Sequence, residues 1–196
     1  MATDIAKVIA NLTRFYDFRN KSVVHVGAGG GQFVGYASNA HHVVAVDHDA
    51  DALAPLRAAI DKLTLGDRFT IRQAPFESVS DTADVVFFEF CLHEMDDPDA
   101  VLRHARALAP ETLIIDPTPD SPWTWHCAEV DKAARSWAAI ERPGMRAAEV
   151  FVGRQLFPDV DALVARLASL GEPAVSRARA LGSATGIDIE MIYRAA

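Results

Sequence analysis

The chain has 196 residues with a formal net charge of −8, and half of its residues are apolar. This length favours one domain with a sizeable core, and the negative charge argues against a broad phosphate-contacting surface. The N-terminus has no signal-peptide pattern and no apolar run approaches the ~20 residues of a membrane span, so stable membrane insertion is not expected.

The first half of the chain alternates predicted strands and helices. A helix over residues 4–18 comes first. The predicted strands are 22–26, 42–47, 69–72, 85–90 and 113–116, and the predicted helices between them are 32–38, 51–63 and 98–109. This alternation predicts an α/β, doubly wound and mostly parallel sheet with helices on both faces.

The pattern changes beyond residue 116. Residues 119–150 contain a predicted helix, 127–140, and no strand, so they are interpreted as an insertion that covers the substrate. A helix over 159–170 then leads to two strand candidates, 174–181 and 187–193. The glycine-containing loop between them suits an antiparallel hairpin at the C-terminal end of the sheet.

One loop carries the main functional signal. Strand 22–26 runs into Gly27-Ala28-Gly29-Gly30-Gly31, and the next strand ends in Asp47. Glycines let the backbone approach a ligand closely, and a carboxylate at the following strand end accepts hydrogen bonds from ribose hydroxyls. The pattern is GxGxG, because Gln32 stands where a dinucleotide fingerprint has its third glycine. A nucleoside cofactor is predicted, and a purely structural turn is the alternative.

Four patterns, of which the glycine loop is the first, stand in a fixed order along the chain. They are Val26 to Gly31 with Asp47, Ala83 to Val86 with Leu92 to Pro98, Leu108 to Pro110 with Leu113 to Pro117, and Leu156 to Gly171 with the closing hairpin. Together they resemble class I S-adenosylmethionine-dependent methyltransferases over about residues 20–118 and 150–196. The resemblance implies a seven-stranded sheet with an antiparallel last strand, and S-adenosylmethionine as cofactor.

The resemblance also implies which residues contact the cofactor. Backbone contacts to its methionine part are expected from Gly27, Ala28, Gly29 and Gly31. Asp47 is expected at the ribose hydroxyls, and His48, Pro75 and Phe76 near the adenine. Glu89 and Phe90, at the end of strand 85–90, are expected near the methionine part and the methyl group.

Two positions depart from the family pattern. His25 stands where the family usually has an acidic residue, two places before the first glycine, and Ala74 stands where it often has an acid directed at the adenine amino group. We hypothesise that Glu89, on the neighbouring strand, supplies the carboxylate missing at His25. The alternative is that Glu89 is a solvated carboxylate at the sheet edge.

Methyl transfer from a sulfonium is an in-line displacement, so the protein mainly positions the reactants and excludes water. A base is needed only if the acceptor must lose a proton, and His93 is the candidate, with Glu94 beside it. A packing or helix-capping histidine is the alternative. Trp123, Trp125 and His126 are candidate substrate contacts in the insertion, and packing of the insertion onto the core is the alternative for them.

Weaker sequence signals indicate what kind of molecule accepts the methyl group. The loop Leu92 to Met95 is similar to that of small-molecule and lipid methyltransferases, and the Asn-Pro-Pro-Tyr-like signature of many nucleic-acid and protein amino methylases is absent. A small-molecule acceptor and no nucleic-acid partner are therefore predicted. Cys91 and Cys127 form no CxxC pair, and the histidines and acids have no recognisable ligand spacing, so no metal site is predicted. Two cysteines without a disulfide pattern fit a reducing compartment, so a cytoplasmic location is expected.

Two other functions stay open at this point. His25 and Ala74 favour a non-catalytic nucleoside-binding or scaffold domain that kept the fold. A nicotinamide-dependent oxidoreductase is the third interpretation, and Gln32 and the terminal hairpin speak against it. The sequence indicates no oligomeric state.

Overall fold

One mixed sheet organises the chain. The computed structural model describes residues 2–141 and 146–196. Its strands are β1 (Ala2–Thr3), β2 (Ser22–Val26), β3 (His42–Asp47), β4 (Phe69–Gln73), β5 (Val85–Glu89), β6 (Glu111–Pro117), β7 (Ala147–Leu156) and β8 (Gly186–Ala195). In the described residues they form a single sheet in the order β1-β7-β8-β6-β5-β2-β3-β4.

Seven α-helices are present in the same residues. They are α1 (Ile5–Phe15), α2 (Ala50–Lys62), α3 (Pro98–Leu108), α4 (Pro122–His126), α5 (Val130–Glu141), α6 (Val160–Leu167) and α7 (Glu172–Arg179). Short 3-10 helices cover Val34–Asn39, Gly66–Arg68, Phe76–Ser78, Leu92–Glu94 and Ala168–Leu170. None of the α-helices described has the length and apolar character needed to cross a bilayer.

Two apolar cores cover the two faces of the sheet. Successive side chains of a strand point to opposite faces, so Val23 and Phe87 belong to one core and Val24 and Phe88 to the other. Helices α1, α2, α6 and α7 pack on the first face, and α3 and α5 pack on the second. Both faces of the central strands are buried, which explains their nearly continuous apolar runs.

The predicted fold class is confirmed. Strands β2, β3, β4, β5 and β6 pair in parallel, while β8 pairs antiparallel with both β6 and β7. These strands form the expected seven-stranded sheet, and the two-residue β1 adds a short antiparallel pairing at the β7 edge. The carboxyl ends of the parallel strands therefore lie along one edge of the sheet, where α/β folds bind their ligands.

The predicted first strand of the hairpin is wrong. Residues 174–181 lie mostly in α7, where Ala174, Val175 and Ala178 are buried at helical spacing. The strand that pairs with β8 is β7, over a register from Ala147 opposite Ala195 to Leu156 opposite Gly186. The alternation of small apolar and polar residues over 174–181 imitates a strand, whereas the apolar run Val150 to Val152 of β7 lies at the end of the predicted insertion and was not assigned to a strand.

Two further boundaries differ from the prediction. The predicted helix over 32–38 is a 3-10 helix, Val34–Asn39, directly after the glycine loop. The predicted insertion 119–150 contains α4 and α5, and its last residues already belong to β7. Residues 142–145 of the insertion lie outside the described part of the chain.

Truncation of Leu56 should destabilise the fold strongly. Leu56 on α2 is fully buried beneath the glycine loop, whereas Leu63 at the end of the same helix is 47% exposed. We expect Leu56→Ala to lower the free energy of unfolding by about 2–5 kcal/mol, and Leu63→Ala to lower it by about 0.5 kcal/mol or less. Urea denaturation of both variants measures the difference. Equal losses would contradict the packing described for α2.

Candidate functional site

The glycine loop is held tightly against its neighbours. Gly27 has a φ of +71°, and a Cβ there would lie 2.6 Å from Cβ of Cys91, so only glycine fits. A Cβ on Gly31 would lie 2.9 Å from Cβ of Ala59 on α2, so this glycine serves close packing between loop and helix. By contrast, a Cβ on Gly29 would meet only the carbonyl oxygen of Gly27, at 3.6 Å. The open face of the loop is therefore at Gly29.

Asp47 anchors the loop at the end of β3. Its Oδ2 accepts a hydrogen bond from the backbone N–H of Gly29 at 2.8 Å, and its Oδ1 accepts one from the N–H of Asp49 at 2.9 Å. A carboxylate has about four acceptor positions, so two are left for a ligand hydroxyl pair. His48 lies next to it with its side chain 84% exposed, which leaves the imidazole accessible at the surface.

Of the residues predicted near the adenine, His48 and Pro75 lie at the surface and Phe76 lies in the core. Pro75 is exposed, and Ala74 donates its N–H to the carbonyl of Asp47 at 3.1 Å. The ring of Phe76 is buried and packs edge-on against Phe88, with 5.3 Å between ring centroids. The ring of Phe76 therefore belongs to the core under α3, and the expected contact of Phe76 with the adenine stays a prediction.

A buried charged residue lies under the glycine loop. Glu89 ends β5, and its Oε2 lies 2.8 Å from Nε2 of His25 on the adjacent strand β2. The two groups are not aligned for a hydrogen bond, so Oε2 and both ring nitrogens of His25 have no hydrogen-bond partner in the described residues. Burial raises the pKa of Glu89 above its usual value, and His25 opposes that rise.

A cavity of about 430 Å³ opens beside this pair. We call it the central cavity. It is lined by the open face of the glycine loop, by the ends of β5 and β6, by the middle of β8, and by residues of α4 and α6. Its lining includes Gly27, Gly29, Glu89, Phe90, His93, Glu94, Trp123 and Glu129. The cavity thus joins the predicted methionine-side residues to the predicted catalytic residues.

His93 is oriented by a buried carboxylate at the far end of the central cavity. Its Nδ1 lies 2.7 Å from Oδ1 of Asp116, which ends β6, and Oδ2 of Asp116 accepts a hydrogen bond from the Ser136 hydroxyl at 2.9 Å. Burial alone lowers the pKa of His93, but the charge and hydrogen bond of Asp116, with Glu129 and Glu94 nearby, raise it overall. An uncharged His93 bonded in this way carries its proton on Nδ1 and has a free lone pair on Nε2.

Two glutamates face Nε2 of His93. Oε1 of Glu94 lies 3.5 Å and Oε2 of Glu129 lies 4.0 Å from that nitrogen, and Lys132 contacts the other oxygen of each glutamate. Burial and the neighbouring Glu94 raise the pKa of Glu129 to about 7. One ligand-type atom from each of His93, Glu94 and Glu129 lies within 4.8 Å of the others. Glu129 was missed by the sequence reasoning, because no spacing connects it to His93.

The predicted substrate residues separate in the structure. Trp123 is buried and lines the central cavity, as expected of a substrate contact. Trp125 is 54% exposed outside the cavity, where the Arg177 guanidinium lies 3.7 Å from its ring centroid. His126 is half-buried, and it too lies outside the cavity lining. Successive residues of the short helix α4 point about 100° apart, so of these three side chains Trp123 lines the cavity, and their roles as substrate contacts stay predictions.

Comparison with known proteins identifies the family. The family model described as a methyltransferase domain matches residues 1–170, which is most of the chain. A search of curated proteins gave no significant match. The resemblance to class I S-adenosylmethionine-dependent methyltransferases is thereby confirmed, and a nicotinamide-dependent oxidoreductase finds no support.

Solved structures share the fold at low sequence identity. A Bacillus halodurans protein assigned as a methyltransferase is 16% identical with a TM-score of 0.70, and the alignment covers 96% of this chain and 97% of that one. Magnesium protoporphyrin IX methyltransferase from Synechocystis, with bound SAH, is 14% identical with a TM-score of 0.63, covering 98% and 80%. A Pyrococcus horikoshii protein assigned as an RNA methyltransferase is 14% identical with a TM-score of 0.60, covering 98% and 81%.

Alanine at Gly27 should destabilise the protein more than alanine at Gly29. Both positions have a positive φ, but only at Gly27 does the added Cβ overlap Cys91. We expect Gly27→Ala to lower the free energy of unfolding by about 2–4 kcal/mol and Gly29→Ala by about 1 kcal/mol. Urea denaturation without ligand measures both. A Gly29→Ala loss as large as that of Gly27→Ala would show that backbone strain, not contact with Cys91, requires glycine at 27.

Proposed function

The chain belongs to the methyltransferase domain family, and we propose that it uses S-adenosylmethionine to methylate a small-molecule acceptor in the central cavity. When bound, S-adenosylmethionine supplies a methyl group on a sulfonium sulfur that the acceptor displaces in line. The chain's own residues bind and orient the two reactants and exclude water from the reacting atoms.

The unpartnered carboxylate oxygen of Glu89 carries this proposal. Glu89 lines the central cavity, and its buried Oε2 lies 2.8 Å from Nε2 of His25 without a hydrogen bond to a described residue. A buried carboxylate in this state is stabilised by a cation, and the amino-acid part of S-adenosylmethionine carries an ammonium group. The residues present therefore fit the cofactor, with Glu89 taking the place of the acid that position 25 lacks.

The nucleoside part of the cofactor fits the neighbouring strand ends. We assign Asp47 to the ribose hydroxyls, because its two carboxylate oxygens keep free acceptor positions while Gly29 and Asp49 hold the side chain in place. His48 and Pro75 are exposed beside it and would flank the adenine, and Phe76 would support that surface from the core. Backbone groups of Gly27, Ala28 and Gly29 would contact the methionine part.

The acceptor half of the central cavity supports a small molecule. The whole central cavity, which cofactor and acceptor would share, has a volume of about 430 Å³, within the range of small-ligand sites, and Trp123 of α4 and Glu129 before α5 line it. Together with the net charge of −8, a site of this size favours a small acceptor over nucleic acid. Cys91 and Cys127 are both free thiols, which favours a reducing, cytoplasmic setting.

His93 is proposed as the group that receives the acceptor's proton. Its Nε2 faces the cavity, while Asp116 and Ser136 hold the ring from behind. Glu94 and Glu129 lie next to Nε2 and stabilise an imidazolium once the proton has moved. This arrangement suits an acceptor that is a hydroxyl, an amine or an acidic carbon.

Neutralising Glu89 should weaken cofactor binding. We expect Glu89→Gln to raise the Kd for S-adenosylhomocysteine about 10- to 100-fold, the range for loss of a charged hydrogen bond. Glu149→Gln, an exposed charge change on β7 that pairs with Arg14, is the matched control and should bind as wild type. Isothermal titration calorimetry measures all three proteins. Unchanged affinity in Glu89→Gln would leave Glu89 a structural carboxylate, and no binding by wild type would favour the scaffold interpretation.

Replacing His93 should slow methyl transfer without loosening the cofactor. We expect His93→Gln to reduce turnover of any acceptor found by a radiolabelled methyl-transfer screen by about 10²- to 10⁴-fold, as for loss of a general base. Its Kd for S-adenosylhomocysteine should stay within about twofold of wild type, because His93 is not among the residues assigned to the cofactor. A variant that turns over like wild type would remove His93 from the chemistry.

A further inference from the structure

We propose that His93, Glu94 and Glu129 form a binding site for a divalent transition-metal ion in the acceptor half of the central cavity. The sequence predicted no metal site, because Glu129 is remote in sequence from the adjacent pair His93 and Glu94. The cluster exists only because the segment between α4 and α5 folds over the end of β5. The inference rests on the proposed function only where it assigns the cation a role beside the acceptor.

The three ligand atoms converge on one point. Nε2 of His93 is 3.5 Å from Oε1 of Glu94 and 4.0 Å from Oε2 of Glu129, and the set lies within 4.8 Å. Atoms bound to one zinc-sized cation at about 2.0–2.2 Å are separated from each other by roughly 3.0–3.5 Å. The pair at 3.5 Å already has this separation, whereas the widest separation of 4.8 Å must shorten by about 1.3 Å or more, and the half-exposed Glu94 side chain has room to move.

His93 is prepared as a ligand independently of the glutamates. Its side chain is only 8% exposed, and Nε2 makes no hydrogen bond to any described residue while pointing into the cavity. The Asp116 carboxylate engages Nδ1, and Ser136 in turn holds Asp116. A carboxylate that binds the second ring nitrogen is the usual support of a metal-bound histidine, because it fixes both the tautomer and the ring orientation.

The two glutamates divide their oxygens between Lys132 and His93. Lys132 Nζ lies 2.7 Å from Oε2 of Glu94 and 3.7 Å from Oε1 of Glu129. The remaining oxygens, Oε1 of Glu94 and Oε2 of Glu129, are those that face Nε2 of His93. Lys132 thus balances part of the negative charge of the two glutamates, and the oxygens that face His93 are the ones left to bind a cation.

The donor set selects the class of ion. One imidazole nitrogen with two carboxylates suits Mn²⁺, Fe²⁺, Co²⁺ or Zn²⁺, whereas Mg²⁺ and Ca²⁺ prefer oxygen donors alone. Three protein ligands leave further coordination positions, and these face the central cavity. A bound cation would lower the pKa of an acceptor hydroxyl placed there and would replace His93 as the activating group, since Nε2 is then a ligand.

Manganese titration tests the site without any acceptor. The EDTA-treated protein is titrated with Mn²⁺, and free Mn²⁺ is followed by electron paramagnetic resonance, with Mg²⁺ as the comparison ion. We expect Mn²⁺ to bind at one site per chain and much more tightly than Mg²⁺. Glu129→Gln should weaken Mn²⁺ binding at least about tenfold, since even loss of a supporting group has effects of that size, and the surface control Glu149→Gln should bind as wild type.

Lys132→Met gives an independent result of opposite sign. Removal of the competing ammonium should tighten Mn²⁺ binding roughly two- to fivefold, the range expected from a partly exposed ion pair. Any one of three results would overturn the proposal. Wild type binds no Mn²⁺, Glu129→Gln binds Mn²⁺ as tightly as wild type, or Lys132→Met binds Mn²⁺ no more tightly than wild type. Circular dichroism identifies a misfolded variant. Mn²⁺ binding without S-adenosylhomocysteine binding would refute the proposed function alone, and the reverse result would refute the cation site alone.

Discussion

The contact between the backbone at Gly27 and the side chain of Cys91 sets the geometry on which the site depends. Cys91 follows β5 and donates its thiol to the carbonyl of Val26 at 3.4 Å, while the space above Gly27 is filled by its Cβ and Sγ. Asp47 ties the same loop to β3 through Gly29. Three neighbouring strand ends are thereby fixed to one another, and Glu89 comes to lie against His25 on the wall of the central cavity.

The polar end of the cavity depends on the segment that covers it. Asp116 and His93 come from the sheet side, but Ser136 on α5 completes the hydrogen bonds of Asp116. Glu129, just before α5, faces His93, and Lys132 on the first turn of α5 balances the glutamates. Buried charges are tolerated only when such partners satisfy them. The cover is therefore part of the polar site and is not merely a lid over it.

The sequence was sufficient to predict the features of the structure that depend on local geometry. The apolar runs at Val23 and Val43 were enough to predict the parallel sheet, which the structure confirms, and the glycines after β2 with Asp47 led to the prediction of a nucleoside site. It was insufficient where remote segments meet. Nothing in the sequence places Glu129 beside His93, and the short apolar run from Val150 to Val152 does not show which strand pairs with β8.

The approach of His25 and Glu89 has a consequence for how relatedness is detected. The two residues are 64 positions apart in the sequence, yet in the parallel register of β2 and β5 they reach the same point in space. A carboxylate beside residue 25 can therefore come from a residue that is distant in the sequence. A one-dimensional motif that requires an acid two places before the glycines finds none in this chain, whereas a three-dimensional search for a carboxylate beside position 25 finds Glu89.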